Sequence, residues 1–109
     1  MKVPQGLSRF TRKEIDAAFT AAFSVHKDHF ITVLAVRPSM SEHGRALFIT
    51  PKKIGCAPKR NKIRRQIKSI IIENKLYSRR QDSIFIIKSL KSNPSFDLVK
   101  KIVLQAYEF

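Results

Sequence analysis

The sequence predicts an α+β fold, a small α-β sandwich in the order α-β-β-α-β-α. Three observations predict it. Helix-start signals precede apolar residues at 3.6-residue spacing in three segments. Three short runs are rich in β-branched and aromatic residues. Proline and glycine punctuate the joins between them. At 109 residues the chain is one domain, 1–109, with one modest core, and the polar residues 1–10, carrying Pro4 and Gly6, read as extended or mobile.

Thr11-Arg12-Lys13-Glu14 fits the capping box, with Phe10 and Ile15 at the hydrophobic-staple positions, so a helix is predicted from Thr11 to about Phe23. Its residues Ile15, Ala18, Phe19, Ala22 and Phe23 form one apolar stripe. Phe30 to Val36 reads as a strand stopped by Arg37-Pro38. After a polar turn from Ser39 to Gly44, Arg45 to Thr50 reads as its antiparallel hairpin partner, ended by Pro51. Pro58 suits a first helical turn, and that helix runs to about Asn74. Ser83 to Lys88 is apolar on both faces and is predicted to be a central strand. Asn93-Pro94 opens a last helix whose core side is Leu98, Val99, Ile102, Val103 and Ala106. One further short strand is compatible with this order.

Lys plus Arg number 22 against 8 Asp plus Glu, a net charge of +14, which points to a polyanionic partner and excludes acidic or neutral-surface readings. The lone Cys56 has no disulfide partner, and Met1 to Gly6 has no apolar signal-peptide core, so a reducing, cytoplasmic setting is expected. No apolar run approaches the roughly 20 residues of a membrane-spanning helix, and no membrane partner is expected.

Half of the chain's bases lie between Pro51 and Arg80, where Glu73 is the only acid. In the helix there, Ile63, Ile67, Ile70 and Ile71 share one side, while Arg64, Lys68, Asn61, Arg65 and Lys62 spread over the other. Basic helix faces are commonly just solvated, but such faces interleave signs. Here the six bases from Lys59 to Lys68 have no acid among them and repel one another by a few tenths of a kcal/mol per pair. An RNA or DNA backbone would relieve that repulsion, and arginine can fork two N–H groups onto phosphate.

The run Lys52-Lys53-Ile54-Gly55-Cys56-Ala57-Pro58-Lys59-Arg60-Asn61-Lys62-Ile63-Arg64-Arg65-Gln66-Ile67-Lys68 resembles the signature segment of the bacterial ribonuclease P protein subunit, in which a Lys-Lys-x-Gly-Asn-Ala strand exit leads into an Arg-Asn-Arg-x-Lys-Arg helix. More loosely, the resemblance takes in the whole chain. It implies an α-β sandwich of the ribosomal protein S5 domain 2-like type, with a left-handed β-α-β crossover where the general expectation is right-handed. It also implies a non-catalytic protein component of an endoribonuclease. The RNA subunit, with its Mg2+ ions, removes the 5′ leader of precursor tRNA, and one protein binds per RNA. By position, Lys52, Lys53, Arg60, Asn61, Lys62, Arg64, Arg65 and Lys68 would face RNA, and Ile15, Phe19, Phe30 and Val33 would line a cleft for the leader. Lys62 replaces the motif's second arginine, Cys56 its usual asparagine, and Ile15 and Val33 positions that are often aromatic. From the residues alone, Phe19 and Phe30 read as core before ligand surface, since aromatic stripes usually are core, and the resemblance brings Phe19 level between the two.

No catalytic residue and no metal site is assigned. His26 and His29 flank Asp28, and His43 stands alone in a turn; surface or loop roles suit them better than ligation. Cys56 has basic neighbours but no nearby histidine, and reads as an inert thiol. Three competing readings fare worse. A ribosomal or general RNA-binding module has no reason to carry the signature. A helix-turn-helix DNA reader would need a partner helix before 58–74. A membrane-surface helix would take the isoleucine stripe away from the core.

Overall fold

The helix announced by Thr11 is α1, Arg12–Ala21, in a computed structural model of the protein that describes residues 10–37, 44–79, 81–90 and 95–107. The capping box forms as the sequence predicts: the Glu14 amide donates to Thr11 Oγ1 at 3.2 Å and the Thr11 amide donates to Glu14 Oε1 at 3.0 Å. The helix stops two residues earlier than expected. Ala22 is extended, and Phe23 opens a strand, β1, Phe23–Lys27, which is the extra strand the order allowed.

β1 and β2, Ile31–Val36, form the hairpin of the molecule. Asp28 shapes their turn, its Oδ1 accepting from the amides of Phe30 at 2.7 Å and Ile31 at 2.8 Å. The hairpin predicted between 30–36 and 45–50 is therefore a correction. The second of those runs is β3, Ala46–Ile49, and it does not touch β2: the sheet order is β1-β2-β4-β3, with β4, Asp82–Ile87, between them. β2 pairs antiparallel with β4, and β3 pairs parallel with it. The physical reason lies in β4, whose Ser83, Ile84, Phe85 and Ile87 are buried, so it needs a strand on each side and cover on both faces. The four-residue, half-buried β3 takes the edge. A parallel pair cannot be closed by a tight turn, and the crossover from β3 to β4 is made by α2, Ala57–Glu73.

Side-chain alternation divides the sheet into two faces. Ile31 and Val33 of β2, Phe85 and Ile87 of β4, and Ala46 and Phe48 of β3 face the main core, with the Phe48 and Phe85 rings stacked at 5.6 Å. That face is covered by Ile63, Ile67, Ile70 and Ile71 of α2 and by Val99, Ile102, Val103 and Ala106 of α3, Phe96–Ala106. Pro58 sits in the first turn of α2 and Ser95 caps α3, its Oγ accepting from the Leu98 amide at 3.2 Å. Asn93 and Pro94, predicted to open α3, lie outside the described residues, as do His43 and most of the turn from Ser39 to Gly44. On the other face α1 seats Ala18 against Val36 and Ile84, with Ala22, Leu34, Leu47, Ile49 and Ile86 only partly buried around it.

Gly44 leads into β3 where two chain segments nearly touch. Its amide donates to the Tyr77 carbonyl at 2.7 Å, and a Cβ there would lie 2.4 Å from the Gln81 carbonyl oxygen. Only glycine fits that approach. Among the described residues, no helix is long and apolar enough to cross a membrane.

Candidate nucleic-acid interface

The isoleucine stripe of α2 is pulled against the sheet, which leaves Asn61, Arg64, Arg65 and Lys68, at i, i+3, i+4 and i+7, on one outward line. This line faces the edge strand β3 across an open groove of about 700 Å³, completed by Leu47, Phe48 and Pro58. One wall is cationic and the floor is apolar. Arg64 donates to Asn61 Oδ1, so the guanidinium and the carboxamide hold one another in place.

Charge on this face is not neutralised by any described residue. Among the described residues the ion pairs join His26 to Asp28 and Arg45 to Glu14 and Asp82, and none reaches a base of α2. The first turn of α2 also carries no acid, although a helix N-terminus favours negative charge. Lys59 and Arg60 stand there instead. An arriving phosphate would answer both the mutual repulsion and the helix dipole.

The other predicted RNA-facing residues are distributed around this line. Lys52 and Lys53 are exposed in the 3-10 turn Lys52–Ile54 that joins β3 to α2. Lys62 is exposed but does not line the groove. Arg60 shares the stripe of Ile63 and Ile67 and is half-buried, with its Nε enclosed and without a hydrogen-bond partner.

The predicted leader cleft is split by the sheet. Ile15 is half-buried and Phe19 is 41% exposed, and both belong to α1, on the thinly covered face. Phe30 at 3% and Val33 at 0% exposure lie in the main core on the opposite face, which corrects their assignment to a binding surface. The reason is register: Val33 pairs with Phe85, while the residues that look toward α1 are its neighbours Thr32 and Leu34. Phe23 at the start of β1 and Phe96 at the start of α3, 44% and 41% exposed, are the other exposed phenylalanines among the described residues.

Ionisable groups elsewhere do structural work. His26 Nε2 lies 2.7 Å from Asp28 Oδ2. Burial raises the Asp28 pKa, but the amides of Ile31 and Phe30 and the His26 ring outweigh it and leave the carboxyl below its ordinary value. Tyr107, enclosed beneath the sheet end, is pushed up to about 12 by burial, against the lowering effect of a Ser83 hydrogen bond. No group of three His, Cys, Asp or Glu side chains suited to a metal occurs among the described residues. Sequence reasoning missed Leu47, Phe48 and Pro58 as groove residues, because nothing local says that an edge strand will lie beside the basic helix.

A sequence model described as Ribonuclease P matches residues 7–108. No curated protein matches significantly. Among solved structures, the RNase P protein of Staphylococcus aureus has a TM-score of 0.76 at 20% identity, covering 94% of this chain and 95% of that one. The RNase P protein of Thermotoga maritima gives 0.74 at 21% identity, covering 93% and 94%. At such identities the structures speak for the fold, including β3-α2-β4, while the sequence match spans α1, the whole sheet, the basic helix and α3. The chain therefore belongs to the bacterial ribonuclease P protein family, and its role lies in ribonuclease P and the tRNA processing that ribonuclease P performs.

Proposed function

We propose that this chain is the RNA-binding, non-catalytic subunit of ribonuclease P, working in the cytoplasm with one protein per catalytic RNA. In this reading Asn61, Arg64, Arg65 and Lys68, flanked by Lys52, Lys53, Arg60 and Lys62, hold the catalytic RNA. The face of the sheet beside α1, with Ile15 and Phe19, takes the 5′ leader of precursor tRNA. RNA and its Mg2+ ions carry the hydrolysis, and the protein raises affinity and positions the leader. The observation that carries this reading is the basic line of α2 above an open groove, which no acid among the described residues pairs with. A basic wall tracks phosphates, and exposed apolar side chains accept bases with little sequence preference.

The test is cleavage of precursor tRNA at low Mg2+ by a bacterial ribonuclease P RNA, with and without this protein, beside a protein-only reaction. Correct 5′ processing that needs both components is the expected result. Cleavage by the protein alone, or no stimulation of a cognate RNA by protein that is folded and RNA-bound, would overturn it.

A further inference from the structure

We propose that the groove between β3 and α2 is a subsite for one unstacked nucleotide of the bound RNA, with its base against Phe48 and its phosphates on Arg64, Arg65 and Lys68. The inference rests on the RNA-binding reading above and goes further, because charge alone would serve a duplex backbone equally well. The groove has what a backbone contact does not need. Its volume of about 700 Å³ lies within the range of sites that enclose small molecules, about 300–1,000 Å³. Its apolar lining includes Phe48 of the edge strand, partly buried on the side that α2 covers, and Pro58 in the first turn of α2. An A-form helix cannot bring a base there, since its major groove is deep and narrow and its bases are stacked, whereas a looped-out nucleotide can.

The experiment is an NMR titration of the full chain with pentauridylate, a pentauridylate backbone lacking its bases, and a blunt RNA duplex. Pentauridylate should bind about tenfold more tightly than the baseless strand and should move the amide of Phe48 and the side-chain amide of Asn61. Phe48→Leu should weaken pentauridylate and leave duplex binding unchanged. Equal binding of strands with and without bases would overturn the subsite, as would a base-dependent response confined to Phe19 and Leu34 on the other face. If no RNA binds in a salt-dependent way, the RNA-binding reading itself falls.

Discussion

Arg45 Nη1 donates to Glu14 Oε2 at 2.6 Å, joining the residue that leads into β3 to the capping box of α1. The same guanidinium lies 4.3 Å over the Phe10 ring and 4.0 Å from Asp82 Oδ2, while the Arg45 amide donates to Asp82 Oδ1 at 2.9 Å. One side chain thus fastens the first helix to the ends of β3 and β4. Asp82 is fully buried, so removal of its counter-charge leaves a carboxylate in the interior. Arg45→Met should lower the free energy of unfolding by about 3 kcal/mol. Urea denaturation checks this, and adding Asp82→Asn should recover part of the loss.

Acid should loosen the same corner. The Thr11 amide and then the Arg45 side chain hold the Glu14 carboxyl below its ordinary value, and Asp28 is held low by the amides and imidazole around it despite its burial. A lowered folded pKa contributes stability that is fully present above the unfolded value, near 4. It is lost as pH falls through the folded value. Unfolding temperatures should therefore drop below about pH 4, and Glu14→Gln should flatten that dependence.

Alkali acts through Tyr107, whose phenol is pushed up to about 12. Folding keeps it neutral, so its contribution is whole below the unfolded value of about 10 and disappears as pH rises toward 12. A phenolate absorbance titration should show one tyrosine ionising only as the protein unfolds, and Tyr107→Phe should remove that signal.

Gly44→Ala should destabilise the fold by about 1–3 kcal/mol, because the new Cβ meets the Gln81 carbonyl oxygen at 2.4 Å and backbone must shift. Thermal melting measures this, and wild-type stability in the variant would contradict the close approach.

The two faces of the sheet should respond differently to truncation. Val33→Ala, in the main core, should lose about 2 kcal/mol of stability with no direct effect on RNA. Phe19→Ala should change stability by less than about 1 kcal/mol and weaken binding of a precursor tRNA with its leader relative to mature tRNA. Denaturation and filter binding on the same two variants separate the outcomes.

Features legible before folding are the local ones. The Thr11–Glu14 box, Pro58 in the first turn of α2 and the isoleucine stripe opposite the bases are short-range features, and each appears where its spacing placed it. The inner position of β4 was legible too, since a strand apolar on both faces needs cover on both sides. Tertiary structure decided which strands are neighbours, because pairing depends on contacts between residues far apart in sequence. β4 displaced β3 from the side of β2, and α2 became a crossover that lays Asn61, Arg64, Arg65 and Lys68 beside Leu47 and Phe48. It also decided the face of each strand residue. A shift of one position exchanges core for surface, which is why Val33 and Phe30 are interior while Phe19 stands outside.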